Sequence, residues 1–226
     1  LIMAITPVFA VGHTANGVTT TSKAVVITGN DRLLQVTLWC SNIPTSVLCD
    51  GVAMTLMMSH ASISTIKVYY LKAPNLGAVN VTINFAVSSQ VVANILLDTG
   101  ILQAGGPNVM NNVGLAGLVN VSSSSVTPSV DGCMVYGNCI LNTSAANNPD
   151  AGANTTRRVQ TSLAAGIDNG TFTALAPTSP AALTTLNFTS TALYNHYTMS
   201  WAWAPAPEPP SSGDDINKYL MTMKMQ

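Results

Sequence analysis

Residues 79–85 read VNVTINF and alternate strictly between apolar and polar side chains. The valine, isoleucine and phenylalanine side chains share one face, and the asparagine and threonine side chains share the other, because successive residues of a strand point to opposite faces. A strand of this kind rests one face on a core and turns the other to water, as antiparallel sheets commonly do. The segment therefore predicts a β-fold built on antiparallel pairing.

Short apolar runs of this kind recur along the whole chain, with turn residues such as Gly29-Asn30-Asp31 and Asp50-Gly51 between them. The fold class is predicted to be all-β, a single jelly-roll-like antiparallel β-sandwich with extended N- and C-terminal arms. Segments 100–129 and 141–156, rich in Gly, Asn and Ser, are expected to form long surface loops, interrupted by a strand at 114–121. The other strands are expected at 4–11, 22–28, 32–39, 51–58, 65–72, 79–87, 91–97, 130–136, 157–163, 170–175, 182–189 and 193–203.

Composition divides the chain into four segments. An apolar N-terminal arm or strand (1–16) precedes a β-sandwich domain (17–203), a Pro/Ser linker (204–215) and a C-terminal strand or arm (216–226). The linker APAPEPPSSGDD is expected to be extended, and the tail INKYLMTMKMQ turns apolar again. Such a tail either completes its own sandwich or leaves it to pair with a neighbour's sheet edge. The residues expected to form this assembly arm are Ile216, Tyr219, Met221, Met223 and Met225.

Charge is scarce, with 8 Lys+Arg and 9 Asp+Glu among 226 residues. No Lys or Arg occurs between Lys72 and Arg157, which argues against nucleic acid as a partner, since phosphate neutralisation needs basic side chains. A nearly neutral surface instead favours close packing of like subunits without repulsion. No apolar run is long enough for a membrane-spanning helix, so membrane insertion is not expected either.

The four cysteines fall into two close pairs, Cys40/Cys49 and Cys133/Cys139. Each pair brackets a loop-like stretch, SNIPTSVL or MVYGN, which predicts two local disulfides and an oxidising compartment. Buried free thiols are the alternative, and four cysteines allow three connectivities. The spacing does not match a zinc site.

Asparagine sequons also favour an extracellular location, because attached sugars would solubilise a surface so poor in charge. Six positions match the acceptor pattern. These candidate glycosylation sites are Asn80, Asn120, Asn142, Asn154, Asn169 and Asn187.

Candidate catalytic groups are few. Asp98-Thr99-Gly100 spells the aspartic-protease tripeptide, but such enzymes need two carboxylates, and the sequence contains neither a second copy nor an internal repeat. His13, His60 and His196 are scattered, which favours local hydrogen bonds over metal binding. Nucleophile-elbow, phosphate-loop and EF-hand patterns are absent. We therefore expect a protein that is not an enzyme, with no catalytic residue, no metal and no cofactor.

Trp201 and Trp203 are two residues apart and so share one face of a strand. An exposed pair of this kind would suit a carbohydrate-binding module, which stacks aromatic rings on sugars. A position in the core is the commoner role for such a pair, and we favour it.

Three stretches carry a family resemblance: 29–39 (GNDRLLQVTLW), 49–56 (CDGVAMTL) and 67–77 (KVYYLKAPNLG), the last followed by VNVTI. Together they resemble a loosely defined β-sandwich module of uncharacterised phage virion and microbial surface proteins. The resemblance covers about residues 20–100 and implies a jelly-roll-like sandwich with a structural or adhesive use. It supplies no catalytic residues, and the cysteine pairs and the C-terminal linker are not part of its pattern.

The function expected from these observations is that of a non-enzymatic, self-assembling extracellular structural subunit, located outside the cell, at the cell surface or in a virion. Copies of the chain would join into a filament or shell by exchange of terminal strands. The alternatives are a virion coat or decoration protein and a carbohydrate-binding surface module. Partners are accordingly other copies of the chain, with glycans as a second class.

Overall fold

The computed structural model describes residues 3–142, 149–163, 166–175 and 182–208. In these ranges no helix is long and apolar enough to cross a membrane. The prediction of an all-β antiparallel sandwich is confirmed, with the strands in two sheets. The described strands are β1 (Thr6–Ile27), β2 (Leu33–Cys40), β3 (Pro44–Cys49), β4 (Val52–Ala53), β5 (Thr55–Ser59), β6 (Ile66–Lys72), β7 (Gly77–Thr99), β8 (Val109–Val126), β9 (Met134–Asn142), β10 (Asp150–Ala151), β11 (Thr156–Leu163), β12 (Ile167–Leu175) and β13 (Thr184–Trp203).

The first sheet is organised around β7, a strand of 23 residues. β1 pairs with one edge of β7 along its whole length. The other edge is divided, because β2 pairs with residues 91–98 and β3 pairs with residues 81–85. β6 and then β5 extend the sheet beyond β2, whereas β4 extends it beyond β3. The long strand therefore connects two groups of shorter strands.

The second sheet repeats this order around β13. β8 pairs with one edge of β13, while β9 pairs with residues 195–203 and β10 with residues 188–189 on the other edge. β12 and then β11 extend the sheet beyond β9. Residues 6–99 and 109–203 thus form two units, here called the first unit and the second unit, with the same pairing order and no recognisable repeat in sequence.

The long strands bend and contribute to two layers of each unit. The register between β1 and β7 shifts within residues 15–20, and that between β8 and β13 shifts between Thr189 and Tyr194. Irregularities of this kind turn a strand from one layer into another. Alternate residues of 79–85 and 91–97, on either side of the bend in β7, consequently meet in one apolar cluster inside the first unit. A corresponding cluster lies inside the second unit.

A third apolar cluster lies between the two units. Alternate residues of β2 face the cluster of the first unit, and Leu33 and Trp39 face the second unit. Both faces of β2 are therefore covered, and none of its residues is exposed. The buried members of this shared cluster are Ile5, Leu33, Met58, Ile66, Val68, Val92, Ile101, Met134, Tyr136, Ile140, Ile167, Tyr197, Met199, Trp201 and Trp203.

Several strands differ in extent from the sequence-based expectation. The segments 4–11 and 22–28 belong to one strand, β1, because bulges bend the chain there without a tight turn. The stretch SNIPTSVL, expected to be a loop, contains β3. Residues 109–126, expected to be mostly loop, form β8. Main-chain pairing holds β3 and β8 in their sheets although both strands contain polar residues such as Ser, and β8 also contains Asn.

The terminal segments are described only in part. Residues 6–15 of the N-terminal segment 1–16 pair with β7 of their own chain. At the start of the linker 204–215, the Ala206 amide donates a hydrogen bond of 2.7 Å to the Gly100 carbonyl. Residues 209–226 lie outside the described residues. They include the whole predicted arm: Ile216, Tyr219, Met221, Met223 and Met225.

All four cysteines are free and buried, so the predicted disulfides are wrong. Cys133 immediately precedes β9 and Cys139 lies in the middle of this extended strand, so the two are six residues and about 20 Å apart, whereas a disulfide joins Cα atoms about 5.5 Å apart. Cys40 and Cys49 pair with positions of β7 that are ten residues apart. Burial raises the pKa of the Cys40 thiol to about 12 and that of Cys133 to about 11. These thiols act as small apolar side chains.

Candidate functional site

A set of polar side chains is buried between the two units, beside the shared apolar cluster. Such groups are retained in a core only when they are hydrogen-bonded, because an unpaired one costs about 1–3 kcal/mol. The first unit contributes Gln35, Thr37, Asn94 and Asp98. The second unit contributes Asn138, Arg158, Thr161, Asn169 and Thr171.

Asn169 is the centre of this set. Its side-chain amide donates to the main-chain carbonyls of Thr37 and Val92 in the first unit, at 3.3 and 3.2 Å. Its side-chain oxygen accepts a hydrogen bond of 2.6 Å from Asn138. Asn169 is fully buried and fully engaged, so a glycan at this predicted sequon is incompatible with the fold. The residue joins the two units instead.

Trp201 and Trp203 are also part of the interface between the units. Both indole rings are buried, and both indole N–H groups donate to the side-chain oxygen of Gln35, at 2.7 and 2.9 Å. Trp201 stacks on Tyr136 with ring centroids 5.9 Å apart. The core interpretation of the pair is therefore correct, and the tryptophan stripe proposed for sugar binding is not exposed.

Asp98, the carboxylate of the Asp-Thr-Gly tripeptide, is fully buried. Its Oδ1 lies 3.0 Å from Nη1 of Arg158, whose side chain is only 9% exposed. Burial raises the pKa of Asp98, while the guanidinium of Arg158 acts in the opposite direction. This carboxylate is shielded from solvent and paired with a permanent cation, and the ion pair joins β7 to β11.

The three histidines are bonded within their own surroundings. Nε2 of His13 lies 2.6 Å from the Thr21 hydroxyl. Nδ1 of His60 accepts from the amides of Ser62 and Ile63, at 3.1 and 3.3 Å. His196 contacts serine hydroxyls through both ring nitrogens, at 2.7 and 2.9 Å. Burial lowers the pKa of His13 and of His196. Among the described residues, no group of three or more His, Cys, Asp or Glu is placed to hold a metal ion.

The remaining sequons are more accessible than Asn169. Asn187 is half-buried, and its amide donates to the Ala153 carbonyl at 3.1 Å. Four sequon asparagines are exposed: Asn80, Asn120, Asn142 and Asn154.

The outer edge of β8 is the most distinctive surface of the described chain. β8 pairs with β13 on one edge and with no described strand on the other. Its 18 residues, VMNNVGLAGLVNVSSSSV, include no charged residue and no proline. Met110, Leu118 and Val121 on this strand are 49%, 70% and 55% exposed. A long, neutral edge of this kind is a ready template for an added strand.

The other outer strands carry features that discourage such pairing. β1 contains Pro7 and Lys23, and β11 contains Arg157 and Arg158. β5 has only five residues and a register shift. β4 and β10 have two residues each. β8 is therefore the one long unprotected edge that the described residues present.

An apolar hollow of about 350 Å³ lies where the described chain ends. It is lined by Leu102 and Val130 and by the exiting residues Ala204, Pro205 and Pro207, with Asp131 as the one charged neighbour. Near it, the Lys72 ammonium donates to three main-chain carbonyls of residues 102–105 and lies 5.0 Å from the centroid of the Trp203 ring. The connection between the two units is thereby tied to the first unit.

Comparison with protein-family models, with curated proteins and with solved structures finds no match for this chain. The site must therefore be interpreted from its own chemistry. Sequence reasoning missed Gln35, Asn94 and Arg158, because each was taken as an ordinary polar position of a strand. The available signal is the nearly continuous apolar run at residues 33–39, where a polar residue between Leu34 and Val36 would need a buried partner.

Proposed function

We propose that this chain is a non-enzymatic, self-assembling extracellular structural subunit, which joins other copies of itself into a filament or shell through exchange of terminal strands. The observation that carries the proposal is the long neutral edge of β8, which lies in a surface with very little charge. A sheet edge without charge or proline is normally covered in a stable protein, and another copy is the partner always present.

Three further observations support a structural role. The carboxylate of the protease-like tripeptide is enclosed with Arg158, and each of the three histidines makes a local hydrogen bond. The two units share an interface with matched hydrogen bonds, which suits a rigid building block. Since β1 pairs within its own chain, the exchanged strand is assigned to the C-terminal segment 216–226. The extracellular location now rests on the exposed sequons, since the cysteines are free.

The test compares the full chain with a variant lacking residues 216–226, by sedimentation velocity and electron microscopy of native material. We expect regular polymers from the full chain and monomers from the shortened one. As a folding control, both proteins should show the same tryptophan fluorescence. A full chain that stays monomeric at high concentration, or a shortened chain that still polymerises, would contradict the proposal.

A virion coat or decoration protein is the second candidate, favoured by the strand order. If β1 and β7 are each counted as two strands at their bends, the first unit contains nine strands. Without the edge strand β5, the remaining eight pair in an order that is compatible with a jelly roll. Jelly rolls occur in viral capsid and lectin domains, and the sequence resemblance to virion modules agrees with this. Nucleic acid inside purified native particles would favour this candidate.

A further inference from the structure

We propose that the outer edge of β8 is the acceptor for the C-terminal segment 216–226 of a neighbouring copy. This inference rests on the proposed function, and it names the surface on which the exchanged strand docks. The donor segment lies outside the described residues, and it is identified by its sequence and by the point where the described chain ends.

The acceptor is the first part of β8, residues 109–119. Residues 109–119 pair with β13 between Tyr194 and Ala202, with register shifts between Tyr194 and His196 and between Thr198 and Ser200, and the register shifts again between Thr189 and Tyr194. The main-chain groups on the opposite edge of these eleven residues have no partner among the described strands. An added strand would give the sheet about one new hydrogen bond per residue, and the neutral side chains of β8 would not repel it.

The position of the chain exit supports this occupant. Asn108, just before β8, donates its amide to the Ala202 carbonyl at 2.8 Å, so β8 begins beside the last residues of β13. The chain leaves the second unit a few residues later, at Pro207 and Glu208. Residues 209–215 can span up to about 25 Å when extended. Ala206 is still hydrogen-bonded to Gly100, but Pro207 and Glu208 are exposed. The proline-rich sequence of residues 207–210 favours an extended course from this point, which would bring the tail within reach of another copy.

The donor sequence suits the edge in length and pattern. INKYLMTMKMQ has eleven residues, as many as the stretch 109–119 of β8. Tyr219, Met221 and Met223 alternate along it and would share one face of an added strand. On the acceptor, Met110 and Leu118 are exposed apolar side chains that cross-strand neighbours of this kind would cover.

The experiment uses full-length chains with one cysteine introduced on β8 and one on the tail. Leu118→Cys is combined in turn with Tyr219→Cys, Met221→Cys, Met223→Cys or Met225→Cys, because the register of the added strand is not known in advance. The native thiols are buried and do not compete under mild oxidation. The matched control places the first cysteine at Leu76, which is 63% exposed in the first unit.

We expect a ladder of covalent oligomers on non-reducing gels from at least one Leu118 pair. Its yield should exceed that of the Leu76 control by about tenfold or more, since docking holds the two thiols at a high effective concentration. Absence of a ladder while the variants still polymerise would overturn the acceptor assignment and leave the proposed function standing. Cross-linked monomers would show that the tail covers its own edge, and dimers from Leu118→Cys alone would show that β8 pairs with β8. A wild-type chain that stays monomeric would overturn both proposals.

Discussion

Replacing Arg158 with methionine removes the guanidinium that pairs with Asp98 across the two units. The two side chains meet at 3.0 Å, with Asp98 fully buried and Arg158 only 9% exposed. Methionine retains much of the apolar stem, so the main effect is an unpaired buried carboxylate. Removing one partner of a buried pair costs about 3–5 kcal/mol. For a chain of this length that loss lowers the Tm by about 6–20 °C, at about 2–4 °C per kcal/mol.

Unfolding by guanidinium chloride, followed by tryptophan fluorescence, measures this loss of stability, because Trp201 and Trp203 are buried in the same interface. The neighbouring variant Arg157→Met is the control. Arg157 pairs with Asp150 at 3.3 Å, but the two side chains are 39% and 66% exposed, so its loss should cost less than about 1 kcal/mol. Adding Asp98→Asn to Arg158→Met removes the second charge as well, and should restore most of the lost stability.

The deficit of the Arg158→Met variant should also depend on pH. Burial raises the pKa of Asp98 in the folded chain, and loss of the opposing guanidinium raises it further. A carboxyl whose folded pKa is raised favours the folded state below its unfolded pKa of about 4, and this contribution is lost as the pH rises through the folded pKa. The loss of stability caused by Arg158→Met should therefore be smallest in acid and increase toward neutral pH. Equal losses for the two arginine variants, or a deficit independent of pH, would refute the assigned role of the pair.

Three other predictions follow from the buried groups. None of the four thiols should react with an aromatic disulfide reagent in the native protein, and all four should react in denaturant. If fewer than four react in denaturant without reductant, a disulfide is present after all. Gln35→Leu leaves two buried indole N–H groups without their acceptor and should lower the free energy of unfolding by about 2–6 kcal/mol, as measured by chemical unfolding. A loss below about 1 kcal/mol would show that the indoles have other acceptors. Because burial lowers the pKa of His196, stability should fall as the pH drops below about 6.5, and His196→Gln should flatten that part of the stability–pH curve; an unchanged slope would contradict this.

Much of the fold follows from local patterns. The alternation in residues 79–85 marks a strand with one buried face, and Val79, Val81, Ile83 and Phe85 are indeed buried. The turn residues also lie where expected, since Gly29 and Gly51 have positive φ angles of 82° and 80°. Such features depend only on near neighbours in the chain, so sequence reasoning finds them.

The longer-range features could not be found in this way. The prediction of disulfides failed because Cys133 and Cys139 were assigned to the ends of a loop, whereas β9 keeps that stretch extended. Asn169 is a buried interface residue and not a glycan acceptor because its side chain bonds to the carbonyls of residues 37 and 92, which are distant in sequence. No local signal distinguishes these two outcomes for an asparagine in a strand.

The all-β class, the low charge and the short apolar alternations can all be found from the amino-acid sequence, because these properties are local or compositional. Three features emerge from the folded chain alone: two units have similar pairing orders, Gln35 accepts hydrogen bonds from two tryptophans, and one edge of β8 is paired with no described strand. Whether a strand lies at a sheet edge, and which side chain meets a buried polar group, depend on contacts between segments that are far apart in the chain. A neutral strand such as β8 has the same sequence whether its edge is covered or free.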